Sequence, residues 1–122
     1  MPQVKRIVAK ATYSFAVDGG AVSTITPATN QLVPKNAIIT RAWTDARTSM
    51  TSSGSATVAL AVGGVTIKSA TAFDNAAYVG LDDQVTAPAK TSSSGYITFT
   101  VATAALTAGI VDIYVEYILS QA

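Results

Sequence analysis

The sequence predicts an all-β chain, an antiparallel β-sandwich of jelly-roll type, on three observations. Two stretches near the C-terminus alternate apolar and polar residues without a break. Short runs of the same kind, separated by Gly, Pro, Asn and Asp turn signals, recur at regular spacing before them, and almost nothing carries a helical period. About eight short strands with minimal helix follow from that pattern, in a single domain spanning residues 1–122. A closed barrel is the alternative the same pattern allows.

The two clean stretches fix the class. In Tyr96 to Ala102, Ile97, Phe99 and Val101 point one way and Tyr96, Thr98 and Thr100 the other, as a strand with one wet face requires. In Ile110 to Leu119, Val111, Ile113, Val115, Tyr117 and Leu119 share a face, with Asp112, Tyr114 and Glu116 opposite. A one-residue slip would bury both carboxylates and expose the apolar set, so the register is strongly specified.

Before them, Arg6 to Val17 alternates Ile7, Ala9, Ala11, Tyr13, Phe15 and Val17 against Val8, Lys10, Thr12, Ser14 and Ala16, a long first strand. Asp18-Gly19-Gly20 tolerates positive φ and precedes the β-branched run Val22 to Thr26, which predicts a hairpin closed by Pro27. Asn36 to Arg47 reads as a strand with Ala37, Ile39, Arg41 and Trp43 on one side and Ile38, Thr40, Ala42 and Thr44 on the other. Neither face is purely apolar, which points to an outer side covered by a loop or another subunit. Thr48 to Ser55 reads as a solvated loop.

Ala56 to Val62 and Val65 to Ser69 form a hairpin about Gly63-Gly64, with Val58, Leu60, Val62, Val65 and Ile67 inward. Thr71 to Tyr78 breaks the alternation and suits one or two helical turns. Val79 to Pro88 has room for one short strand, and Ala89 to Ser94 is small, polar and flexible. From Leu106 to Gly109 a short connection lets the last two strands pair directly or cross between sheets.

Composition narrows the function classes. Charged residues make up 12% of the chain and the net charge is +1. With Lys and Arg scattered, that leaves no electrostatic footprint for nucleic acid or an anionic membrane. The absence of cysteine removes disulfide and thiolate chemistry and suits assembly in a reducing cytoplasm. No run has signal-peptide or membrane-span length, so a soluble, unprocessed chain is expected. Twenty-two alanines give a core of modest apolar area, which favours added burial in an oligomer.

Chemistry is sparse. Histidine is absent along with cysteine, which removes the commonest nucleophile–base arrangements. Asp112 and Glu116 share a strand face but stand about 13 Å apart at strand rise, beyond the roughly 5 to 9.5 Å of a glycosidase pair. They read as a solvated strand face or an inter-subunit salt bridge. Asp82-Asp83 with Asp74 would offer oxygen ligands to a hard cation, but the spacing fits no specific loop and an ordinary polar turn is the reading; no metal and no cofactor are expected. Lys68, Lys90 and Ser92 to Ser94 have nothing local to position them as a Ser-Lys pair. Trp43 shares its face with Arg41 and is either core or, if exposed, an interface anchor or sugar platform. The candidate interface is therefore Arg41, Trp43, Tyr114, Asp112 and Glu116.

Three strings carry a resemblance: Leu32-Val33-Pro34-Lys35-Asn36-Ala37-Ile38-Ile39-Thr40-Arg41-Ala42-Trp43, Ser55-Ala56-Thr57-Val58-Ala59-Leu60-Ala61-Val62-Gly63-Gly64, and Leu106-Thr107-Ala108-Gly109-Ile110-Val111-Asp112-Ile113-Tyr114-Val115-Glu116-Tyr117. In order and spacing the chain resembles the small jelly-roll structural proteins of tailed bacteriophages, the cement or decoration proteins that sit on capsids. The likeness is one of strand texture over residues 32–119, and fibre-head and baseplate domains share that texture. It implies a virion location on the capsid surface, assembly in the host cytoplasm, self-association as a homotrimer, docking on the major capsid protein, and no catalytic residues. A fibre-tip or carbohydrate-binding module is the competing expectation, with Trp43 or the tyrosines as its platform.

Overall fold

The computed structural model describes residues 5–74 and 89–119, together with the backbone of 82–83. Its strands are β1 (Ile7–Ser14), β2 (Ser23–Ile25), β3 (Leu32–Val33), β4 (Ala37–Ser52), β5 (Thr57–Val62), β6 (Val65–Ala72), β7 (Asp82–Asp83), β8 (Ala89–Lys90), β9 (Gly95–Tyr96), β10 (Thr98–Ala102) and β11 (Leu106–Leu119), with one four-residue helix, α1 (Phe15–Asp18). One antiparallel sheet runs β1-β11-β4-β7 with β8 also on β4; the other runs β2-β10-β5-β6; β3 and β9 form a small ribbon. The first strand lies beside the last and the second beside β10, while β1/β2, β4/β5 and β10/β11 change sheets. That is jelly-roll connectivity, and the expected β-sandwich is the observed fold.

The inner faces are those the alternation assigned, except at strand ends: Ile7, the first residue of β1, and Leu119, the last of β11, were expected inward and are exposed. Val111, Ile113, Val115 and Tyr117 are buried against Ile97, Phe99, Val101, Val58, Leu60 and Val62 from the other sheet. Tyr13 and Phe99 stack across the sandwich with centroids 4.2 Å apart and planes 5° from parallel. Burial, with Asp18 nearby, pushes the Tyr13 phenol up to about 12. The β5–β6 hairpin turns at Gly63 (φ 56°) and Gly64 (φ 85°), the two positive φ values that a type I′ turn requires. The final pair crosses between sheets through Thr103 (φ 75°), a backbone region that a β-branched residue occupies at a cost.

Several expectations are corrected. The first strand stops at Ser14: Phe15 to Asp18 turn into α1, and Phe15 and Val17 leave the apolar face and are exposed. Asp18-Gly19-Gly20 makes no hairpin, because β1 and β2 belong to different sheets. Strand β4 is far longer than expected, 16 residues, because it pairs with the 14-residue β11 almost from end to end. Thr48 to Ser52 are thus strand, with Met50 buried, and the loop begins only after Ser52. Thr71 and Ala72 end β6 and Phe73–Asp74 is a turn; the remainder of the helical expectation, 75–78, lies outside the described residues. Thr91, placed in a flexible stretch by the sequence, is 1% exposed and pins β4: its Oγ1 donates to the Pro34 carbonyl at 2.8 Å and accepts from Ala37 N at 3.0 Å.

The mixed faces of β4 have a local cause. Glu116 lies opposite Arg41 and Tyr117 opposite Ile39, which makes Thr40 the extra residue of a β-bulge. The bulge shifts the side-chain parity by one: Ala37 and Ile39 point inward before it, Ala42 and Thr44 after it. Strict alternation had assigned Ala42 and Thr44 to the face opposite Ile39. The apparent mixture is two clean half-strands joined out of phase.

Candidate interface on the outer face of the first sheet

The pairing of β1, β11 and β4 sets the outward residues in rows. Val8, Glu116 and Arg41 form one, Lys10, Tyr114 and Trp43 the next, and Thr12, Asp112 and Asp45 the third. All the candidate residues from the sequence, Arg41, Trp43, Tyr114, Asp112 and Glu116, are therefore brought onto one face. Without the Thr40 bulge, Arg41 and Trp43 would point into the core with Ile39. The kink that obscured the pattern also builds the patch.

At its centre the Tyr114 and Trp43 rings stack with centroids 5.4 Å apart and planes 14° from parallel. The Lys10 ammonium sits 5.5 Å from the Tyr114 centroid, on the side away from Trp43, and the Arg41 guanidinium carbon lies 5.3 Å from the Trp43 centroid. Both cations suit the ring quadrupoles, and Tyr114 on β11 is flanked by Lys10 from β1 and Trp43 from β4.

Asp112 is the most enclosed polar group of the patch. Its side chain is 4% exposed although it stands on the outward side of the sheet. Arg47 forks onto it, Nε 2.9 Å from Oδ2 and Nη2 donating to Oδ1 at 3.3 Å; Thr12 Oγ1 donates to Oδ1 at 2.7 Å, and Lys10 Nζ stands 3.9 Å away. The reading of Asp112 as solvated or as an inter-subunit bridge is replaced by an ion pair within the chain. Burying a carboxylate this far requires such partners, and the like charge of Asp45 across the ladder makes Arg47 the more necessary. Glu116 accepts from Thr40 Oγ1 at 3.0 Å and meets Arg6 at 3.6 Å, near solvent.

Sequence reasoning missed Lys10, Thr12 and Arg47 as members of the patch. Lys10 and Thr12 were legible as the polar side of β1, but nothing local says that β1 pairs with β11. Arg47 follows from no spacing, since the register shifts again between Ile110 and Val111.

The edges beside this face are guarded. On β1, Lys10 N donates to Gln31 Oε1 at 2.7 Å, Thr12 N to the Thr29 carbonyl at 2.9 Å and Ser14 N to Asp18 Oδ2 at 3.0 Å. Strand β6, the edge of the other sheet, is bulged twice against β5. Blocked amides and bulges both oppose strand addition at these two edges.

The other sequence candidates do not converge on a site. Asp82 and Asp83 pair through their backbone with Thr44 and Trp43, and their side chains are not among the described groups; Asp74 is exposed. Among the described residues, no group of three or more His, Cys, Asp or Glu side chains is placed to hold a metal ion. Ser92 Oγ donates to the Gly63 carbonyl at 3.4 Å and serves the β5–β6 turn, while Lys68 lies on β6 and Lys90 on β8.

No protein-family model and no curated protein sequence matches the chain. Solved structures do. A chain of "Cyanophage Pam1 capsid asymmetric unit" is similar over 96% of this chain and 86% of its own, with a TM-score of 0.65 and 19% identity. A chain of "Acidic stable capsid structure of Helicobacter pylori bacteriophage KHP30" is similar over 98% and 95%, with a TM-score of 0.59 and 12% identity. At such identities what is shared is the fold.

Proposed function

We propose that the chain is a non-enzymatic virion structural protein, a decoration or cement protein that binds the major capsid protein on the capsid surface and stabilises the shell. The supporting observation is that its whole fold, not a fragment, is similar to chains of two phage capsid structures. The patch fits the reading chemically. A Trp–Tyr stack framed by Arg and Lys has the composition of interface anchors, and Asp112 and Glu116 have their cations within the chain, so a neighbouring copy can cover them without stranding either carboxylate. We assign this face to contacts between copies, as a homotrimer.

Carbohydrate binding, the runner-up, finds less support. A sugar platform needs an open ring face, and Tyr114 is flanked by Trp43 and Lys10. The test is reconstitution: capsids made without the protein should assemble yet rupture at lower temperature or osmotic stress, and adding the purified chain back, at a fixed ratio to the shell protein, should restore them with or without chelator. Unchanged robustness without it, joined to loss of host attachment, would replace this reading with the fibre-tip one.

A further inference from the structure

The segment between β1 and β2, residues 15–22, is locked from within while its apolar side chains face solvent. Asp18 uses both carboxylate oxygens, accepting from Ser14 N at 3.0 Å and Ala28 N at 2.9 Å. Gly19 N donates to the Phe15 carbonyl at 2.9 Å, and the Gly19 carbonyl accepts from the Tyr13 hydroxyl at 2.7 Å. Leu106 N donates to the Gly20 carbonyl at 2.8 Å, and any Cβ at Gly20 would overlap the backbone of Leu106. Yet Phe15 is 37% exposed, Val17 70% and Val22 56%, with Ala16 and Ala21 exposed beside them. A slack loop would fold such side chains back; these hydrogen bonds hold them out.

We propose that this segment is a pre-ordered apolar plug that seats in an uncharged socket of the capsid shell protein, the partner assigned under the proposed function and on which this inference rests. Charge narrows the socket: Asp18, half-buried, spends both carboxylate oxygens on Ser14 N and Ala28 N, and nothing else in 15–22 is ionisable, so the tip offers no cation and no anion without hydrogen-bond partners. The lack of Lys and Arg also argues against an anionic lipid surface. Area selects the mode. The three large side chains expose on the order of 250 Å², against roughly 800 Å² per partner in a stable pairwise interface. A plug this small cannot carry a two-fold dimer by itself, but repeated at every site of a shell, beside copy–copy contacts, it adds up through multivalency. Because the backbone is already ordered, little entropy is lost on seating.

The test compares wild type, the triple variant Phe15→Ser/Val17→Ser/Val22→Ser and the single variant Val17→Lys, each sedimented with capsids assembled without the chain. All these positions are exposed, so thermal unfolding should move by no more than about 2–4 °C. Should the triple variant fold poorly, Val17→Lys alone serves. Binding to capsids should weaken at least tenfold in both variants, while light scattering still gives the wild-type oligomer. Variants that bind capsids as wild type does would overturn the plug and leave the capsid-binding reading standing. Wild type that fails to bind capsids would overturn both, and dissociated oligomers with capsid binding intact would reassign the segment to copy–copy contacts.

Discussion

The outer faces of the two sheets differ far more than the inner ones. The face of β1, β11 and β4 carries Lys10, Arg41, Asp45, Arg47, Asp112 and Glu116 around a Trp–Tyr stack. The face of β2, β10, β5 and β6 is built from Thr24, Thr98, Thr100, Thr57, Ala59, Ala61 and Ala102, with Lys68 toward its edge. Its polar contacts are hydroxyl to hydroxyl, Thr24 to Thr100 at 3.2 Å, or hydroxyl to backbone, Thr98 to the Ala61 carbonyl at 3.2 Å. Both sheets bury the same kind of aliphatic inner face, so the fold does not require this asymmetry. On the first face, removing one member strands a charge or a ring; on the second, each residue stands nearly alone.

The largest consequence should appear at Asp112. Asp112→Ala removes the acceptor for Arg47, Thr12 and Lys10 together and should cost about 2–3 kcal/mol in urea unfolding, the range for hydrogen bonds to a charged group when the partners keep some access to water. A double-mutant cycle with Arg47→Ala should show positive coupling. Additive losses would make the network a set of separate contacts and narrow the difference between the faces.

Trp43→Ala comes next. Losing the stack and the half-buried ring should cost about 1–2 kcal/mol in the isolated chain, and light scattering should show a smaller particle at micromolar concentration. If the particle mass is unchanged, the aromatic patch is not the copy–copy contact and the division of labour between the faces fails.

These two residues also mark how far the sequence could be read. Apolar periodicity gave the inner faces of β5, β10 and β11, Leu119 at the end of β11 excepted, because burial acts on single residues and leaves a trace at spacing two. It failed at β4, where one inserted residue reverses the parity: a bulge costs little and has no residue signature at Thr40 or Arg41. The residue types of the patch were legible, and Arg41, Trp43, Tyr114, Asp112 and Glu116 do share a face. What Asp112 does there was not, since its partners come from β1, about a hundred positions away in the chain, and from beyond a second register shift. Likewise α1 could not be told from a continuing strand, because Phe15 and Val17 keep the alternation that Asp18 breaks by bonding back to Ser14.

Between the faces, Tyr13 supplies a test of the shared core. Its phenol is raised from 10.0 to about 12 by burial and by Asp18. The unfolded chain therefore releases this proton first as pH rises. The stabilisation is whole below pH 10, declines above it, and is gone once pH has passed 12. After allowance for screening the loss should be no more than about 1–2 kcal/mol. Tyr13→Phe should flatten that alkaline decline in thermal melts while forfeiting the hydrogen bond to Gly19. An alkaline decline as steep in Tyr13→Phe would assign it to other groups.

The smallest effect is expected on the second face, at Thr100→Val. Thr100 is half-buried and its hydroxyl, among the described residues, meets Thr24, which is exposed and can turn to water when its partner is lost. Valine keeps the β-branched shape that suits a strand, and no charge is left without a counterion, so stability should stay within about 0.5 kcal/mol of wild type. Oligomer mass and capsid binding should likewise be unchanged. A loss comparable to that of Asp112→Ala would mean that the Thr/Ala sheet is covered by a partner and that its hydroxyls are desolvated there. The two faces would then differ in chemistry alone and not in use.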